Sequence, residues 1–248
     1  MDEVNALNVT LISKYSSKGG AARATERLHK GLLREEIQAE LFVETQQGDA
    51  EAVTAFQPPE DLATRFRRTW RRRRTARTRS QYGSSHQNEW FAPATTVHAG
   101  DPLLQFPDAD VVNLHWITDF IDLSAVLPAI DAPIVWTLHD MNAFTGGCLY
   151  TAGCRRFTQQ CGACPQLAST HERDWSREIW ETKKQTFQQM DPDAFRIVTP
   201  STWLAEEARQ SSLLSDFTVD VIPNGLDTDQ FFPLDPASVR RSLSLNPD

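Results

Sequence analysis

A doubly wound α/β domain on a parallel sheet is the architecture to expect of this chain, and three observations lead there. A β-branched apolar run, a glycine turn, an amphipathic helical stretch and a second apolar run follow one another between residues 8 and 43. The same alternation returns at residue 110 and continues to residue 222. The 248 residues match the capacity of one large α/β domain or two small ones, and a domain of that size buries enough core to stand without staples. Alternation of this kind gives parallel strands joined by right-handed crossovers.

The elements follow in order. Asn8-Val9-Thr10-Leu11-Ile12-Ser13 reads as a buried strand. After Ser16-Ser17-Lys18-Gly19-Gly20, a helical pattern runs from Ala21 to Arg34 with Ala21, Ala24, Leu28 and Leu32 on one face. Residues 39–43 are the next strand and complete a βαβ unit. Residues 110–114 form a strand, 123–130 a short helix and 133–138 a strand that delivers His139 and Asp140 to its C-terminal end. A cysteine-bearing loop spans 141–170. Then come a helix over 175–190, a strand over 195–199, a helix over 202–211 and a strand over 219–222. No internal repeat is evident. The expected organisation is a domain over 1–222 and a hinge or linker over 223–248, with a short helix in the tail ending at Leu243–Asp248 and no second domain in the chain.

Hydrophobic residues are 40% and charged residues 23%, a globular balance that argues against disorder. No apolar run approaches the ~18 residues that cross a bilayer. Met1-Asp2-Glu3 lacks the basic start of a secretory signal, so the cytoplasm is the expected compartment. The net charge of -8 hides an asymmetry: residues 61–80 carry nine arginines against Asp61, a local +8 that leaves -16 on the remainder. That body repels nucleic acid in general but leaves room for one localised anionic contact.

Four motifs carry chemistry. Gly19-Gly20 opens a helix after a strand, where backbone amides and the helix dipole suit a phosphate and Lys18 and Arg23 add charge. The plain alternative is ordinary turn chemistry. His139-Asp140 lies where open α/β sheets bind ligands, and is either a hydrogen-bonding and proton-handling pair or a satisfied strand end. Cys148, Cys154, Cys161 and Cys164 are all the cysteines of the chain, and their crowding into one loop suggests a structural zinc. Disulfides, free thiols and an iron–sulfur cluster stay open. Leu62, Phe66 and Trp70 share one helix face within the basic segment 60–79, rimmed by Arg67, Arg68, Arg71, Arg72 and Arg74. Such a helix lies in an anionic membrane interface, with Trp70, Arg71 and Arg72 as contacts, docks on its own domain, or meets nucleic acid.

Several segments together resemble the N-terminal half of a family 4 retaining glycosyltransferase of the GT-B fold, in its bacterial exopolysaccharide, colanic-acid-like branch. They are Gly19-Gly20-Ala21-Ala22-Arg23-Ala24, Thr137-Leu138-His139-Asp140-Met141, Phe144-Thr145-Gly146-Gly147-Cys148, the run Cys161-Gly162-Ala163-Cys164-Pro165-Gln166-Leu167, Thr199-Pro200-Ser201, and Ile222-Pro223-Asn224-Gly225-Leu226-Asp227. The resemblance implies a Rossmann-like acceptor-side domain, a nucleotide-sugar donor, and a saccharide or lipid-linked acceptor in cell-surface polysaccharide synthesis. It implies a role near the donor phosphates for Gly19 and Gly20, sugar contact for His139, and a hinge at Asn224, Gly225 and Asp227. No catalytic metal is expected. The donor-side domain of the family has no counterpart here and would be supplied in cis or in trans. Two rival readings are a non-catalytic saccharide-binding module and a zinc-containing nucleic-acid binder. The expected location is the cytoplasm, peripheral on the inner face of the membrane.

Overall fold

The computed structural model describes residues 7–48, 51–82 and 91–246. Seven strands form one sheet in the order β3-β2-β1-β4-β5-β6-β7, every neighbouring pair parallel. They are β1 (Asn8–Tyr15), β2 (Gln38–Thr45), β3 (Val53–Ala55), β4 (Val111–Leu114), β5 (Ile134–Thr137), β6 (Phe195–Thr199) and β7 (Thr218–Val221). The three-residue edge strand β3 is an addition to the expected set; a run of Val53-Thr54-Ala55 between polar stretches is too short to show a period.

The register explains the two-faced core. Leu11 pairs with Leu41 and Ile12 with Phe42. Leu11 and Leu41 join Val9, Ala39 and Val43 on one face, against Leu32 and Ile37. Ile12 and Phe42 join Leu114, Ile134, Trp136, Phe195 and Ile197 in the larger cluster. Strands buried on both faces read as unbroken apolar runs, which is why the sequence shows them so clearly.

Helix α1 (Gly19–Arg34) covers the smaller cluster, with its buried face one residue away from the expected stripe. Ala22, Thr25 and His29 are buried, while Leu28 is exposed. Thr25 donates to Ala21 O at 2.9 Å and the His29 ring bonds Ala39 O at 3.1 Å, so two polar side chains are satisfied where alanine and leucine were expected. Helix α2 (Leu62–Ser80) is capped by Asp61, which accepts from Thr64 N at 2.9 Å. Helix α3 is cut to Leu123–Val126 and gives way to a 3₁₀ turn over Leu127–Ala129, since Pro128 has no amide to continue it. Helices α4 (Trp175–Phe187) and α5 (Thr202–Arg209) start at Asp174 and Ser201 caps. Helix α6 (Pro236–Ser242) is the short tail helix; Pro247 and Asp248 lie outside the described residues. Among the described residues no helix is long and apolar enough to cross a membrane.

Candidate functional site

The strand order reverses between β1 and β4: the chain leaves β1 for β2 and β3 on one side, then returns to β4 on the other. Ligands of open α/β sheets bind at such a reversal, outside the strand C-termini. The sequence there supplies Ser16–Gly20 after β1, His115-Trp116 after β4 and His139-Asp140 after β5.

Gly19 is the first residue of α1 and has φ +90°, a left-handed backbone that favours glycine. A Cβ at Gly19 or Gly20 would meet nothing within 4 Å, so both face open space. Lys18 is the N-cap and makes no side-chain cap, leaving the first amides of α1 unclaimed by a side chain. Lys18, Gly19, Gly20 and Arg23 are exposed. This turn is therefore open, positive and rich in N–H donors.

Beside it lies a network that sequence reasoning half missed. His139 Nε2 stands 3.0 Å from Nδ1 of His115, and the two rings stack at 5.3 Å. Trp116 donates from Nε1 to Asp140 Oδ2 at 3.0 Å, and Asn142 N donates to Asp140 Oδ1 at 2.7 Å. The other face of Trp116 stacks on Tyr15 at the end of β1, centroids 6.3 Å apart. Asp140 is thus occupied on both oxygens and braces Trp116 and the loop start. Burial raises its pKa, and the two hydrogen bonds and Lys183 oppose that rise.

Burial lowers the pKa of His139 to about 4 and that of His115 well below its usual value, with the neighbouring His139 adding to the latter. Both rings are neutral at pH 7, so one N–H is shared between them. His115 Nε2 is buried without a partner. A bare lone pair there costs less than a buried N–H with no acceptor, because an orphaned donor is the rarer outcome in folded proteins. His115 therefore donates from Nδ1, His139 accepts on Nε2, and His139 keeps Nδ1–H as a donor. His115 and Trp116 had a signal: they occupy the same place after β4 that His139 and Asp140 occupy after β5.

The cysteine loop packs under residues 91–92, where Ala92 N donates to Gly147 O at 2.8 Å. All four cysteines are free thiols, and Cys148, Cys154, Cys161 and Cys164 line one cavity. Burial pushes the thiols of Cys148 and Cys161 up to about 12 and about 11. Among the described residues no group of three or more His, Cys, Asp or Glu stands ready to hold a metal. The fully buried Lys183 of α4 reaches into this loop, donating to the carbonyls of Asn142 and Thr145. Sequence reasoning passed over Lys183, because a lysine in an amphipathic helix ordinarily faces water.

Helix α2 is placed against expectation for a soluble helix. Leu62, Phe66 and Trp70 are 82%, 74% and 52% exposed. The inward face is polar: Thr64 is buried, and Arg68, Arg71, Thr75 and Thr78 are half-buried. Arg71 bonds Asp122 at 3.1 Å and Thr96 O at 3.0 Å, so it faces the domain; Arg72 faces out. Of the three anticipated surface contacts, Trp70 and Arg72 are displayed and Arg71 is not. The residues expected to form a hinge follow β7. Asn224 and Gly225 are exposed, and Asp227 accepts from the amides of Asp229 and Gln230 at 3.1 and 3.4 Å. Arg34 approaches Asp227 at 3.7 Å, and Arg27 lies over Phe231 at 5.5 Å.

The doubly wound sheet with polar side chains gathered at its strand reversal defines a Rossmann-like domain, consistent with one half of a GT-B architecture. Residues 18–230 match Glycosyltransferase Family 4, and the chain belongs to that family. It is 25% identical, over 234 residues, to the "Putative colanic acid biosynthesis glycosyl transferase WcaC" of Escherichia coli (strain K12). That match covers 89% of this chain and 55% of the relative, so the chain spans about half the length of the curated relative it matches.

Proposed function

We propose that this chain is the acceptor-side half of a retaining glycosyltransferase that moves a sugar from a nucleotide donor to a saccharide or lipid-linked acceptor in cell-surface polysaccharide synthesis. The observation that carries the reading is that the open Gly19-Gly20 turn after β1 and His139 after β5 lie at the same end of the sheet, with β4 and its His115 between them, beside the strand reversal. Departure of a nucleoside diphosphate builds negative charge, which the α1 amides, Lys18 and Arg23 are positioned to meet. Positive character grows at the anomeric carbon. A neutral His139 then helps where a protonated one would repel: its Nδ1–H holds a sugar hydroxyl without adding a cation. Asp140 acts through Trp116 and Asn142 as a positioning group. The donor-side domain completes the site, in cis or in trans, through the segment around Asn224, Gly225 and Asp227.

Within this proposal α2 seats the enzyme on an anionic membrane surface. Its outward apolar stripe and exposed Arg72, Arg73 and Arg74 match such a surface in both polarity and charge. The acidic remainder of the chain disfavours nucleic acid in that role.

The test joins this half to its donor-side domain and measures transfer from a panel of nucleotide sugars. His139→Ala is expected to lower kcat by roughly 10²-fold, the scale of one lost transition-state donor. An unchanged kcat overturns the assignment of His139.

A further inference from the structure

We propose that Cys148, Cys154, Cys161 and Cys164 bind one zinc ion, and that the buried ammonium of Lys183 is its counter-charge. This inference is independent of the transferase reading.

Three features converge. The first is the donor set. Every cysteine of the chain lines the same cavity, none is in a disulfide, and three are buried. Thiolates are the ligands zinc prefers, and four of them close its tetrahedron without an open position. The second is the direction of nearby donors. Gly146 N points at Cys161 Sγ at 3.1 Å. Around Cys164 and Cys148 the nearby donors go to the carbonyls and leave the thiols free: Leu167 N and Ser169 N each donate to Cys164 O at 3.1 Å, and Thr145 Oγ1 donates to Cys148 O at 2.6 Å. A neutral thiol is a weak acceptor; the Gly146 N–H turned toward Cys161 Sγ suits a thiolate. The Gly146 approach is built in, since a Cβ there would stand 2.6 Å from Cys161 Cβ.

The third feature is Lys183. It is fully buried, and among the described residues no carboxylate stands within ion-pair distance of it. Its Nζ bonds only neutral oxygens among the described residues, those of Asn142 and of Thr145, the residue before the Gly146 whose amide meets Cys161 Sγ. A buried cation with no anion at ion-pair distance is unfavourable. A zinc ion with four thiolates carries a net charge of about -2, and supplies what Lys183 lacks. Because no three of these side chains yet stand at ligating distance, binding includes rotation of the thiols into the cavity they share. The half-exposed Cys154 marks the side from which the ion enters.

The experiment uses the full chain purified without chelator. Elemental analysis is expected to give about one zinc per chain. Removing it and adding cobalt(II) should produce the thiolate-to-cobalt charge-transfer band and the intense visible bands of a tetrahedral site. Protein that carries no zinc and gives no such bands, or that shows two disulfides by mass spectrometry, overturns the proposal. Cys161→Ala and Cys164→Ala should each abolish the cobalt bands, and retained bands count against the ligand set. Lys183→Met, checked for folding by circular dichroism, should lose zinc to a competing chelator at least about tenfold more readily, the usual scale for an outer-shell partner. Unchanged affinity in the folded variant overturns the counter-charge role, and a variant that does not fold is replaced by Lys183→Gln in the same competition.

Discussion

His115 decides what His139 can offer a substrate. The pair shares one hydrogen, and burial keeps both rings neutral, so the Nδ1–H that the proposal assigns to His139 depends on the buried His115 beside it. His115→Phe keeps a flat buried ring and removes the donor. It should lower kcat of the completed enzyme by about tenfold with little change in donor KM, on the scale of a lost positioning hydrogen bond. Unaltered kcat would show that the tautomer does not matter. A pH effect follows with a definite sign. The folded-state pKa values of His29, His115 and His139 lie below the ordinary histidine value, mainly through burial. The unfolded chain therefore takes up protons first, and their contribution to stability is lost as pH falls from about 6.5 toward 4. Asp140, with its raised pKa, works in the opposite direction at the acid end. Melting temperature should drop over that interval, and less steeply in His115→Phe. At this scale half of the site was legible. Gly19, Gly20 and His139 announce themselves by glycine chemistry and by a polar residue ending an apolar run. His115, Trp116 and Lys183 become partners only once Leu114 pairs with Trp136 and α4 folds over the loop, and no local pattern records that.

Helices differ more than strands from their expected placement. In α1 the buried stripe is shifted to Ala22, Thr25 and His29 because the His29 ring finds Ala39 O. In α2 the apolar stripe was correctly located on one face, but periodicity cannot say which face meets the protein. Arg71–Asp122 and Arg67–Asp101, at 3.1 and 2.7 Å, turn the polar face inward. This gives a separable pair of outcomes. Trp70→Ala should weaken binding to anionic vesicles while leaving the melting temperature nearly unchanged, since Trp70 is 52% exposed. Arg71→Glu should lower the melting temperature, whereas Arg72→Glu should reduce vesicle binding alone, each basic residue near the surface contributing roughly 1 kcal/mol at low salt. Binding that survives high salt or extends to neutral vesicles would contradict the electrostatic part. The loop over 141–170 packs Met141, Phe144, Phe157 and Leu167 into the larger cluster beside the sheet. Cys161→Ala should speed hydrogen exchange there before it affects amides of β4, β5 and β6, because those strands also pack on residues outside the loop, among them Ile12, Phe42 and Phe217.

Apart from the α2 stripe, the molecule shows a second run of exposed apolar residues toward its C-terminal end. Ile222, Leu226, Phe231, Phe232, Leu234, Leu243 and Leu245 are all exposed, and α6 buries nothing. Exposed apolar clusters of this kind mark surfaces meant to be covered, and a donor-side domain is the occupant the proposal supplies. Residues 1–248 alone should give background turnover with every nucleotide sugar; robust transfer by that piece would overturn the division of labour. The parallel sheet itself was legible almost throughout, because strands buried on both faces cannot hide their composition. The central position of β1 has a further consequence, in time. Its partner β2 lies about 30 residues downstream, but its other partner, β4, begins at residue 111. At ribosomal speeds, β4 follows β1 by roughly 5–20 s. For that interval the nascent chain can build only β1, α1, β2, β3 and α2, with one long edge of β1 unpaired and Ile12 and Phe42 uncovered. Such an edge pairs readily with other chains. Production of this protein should therefore depend on chaperone supply during synthesis more than its final core would suggest.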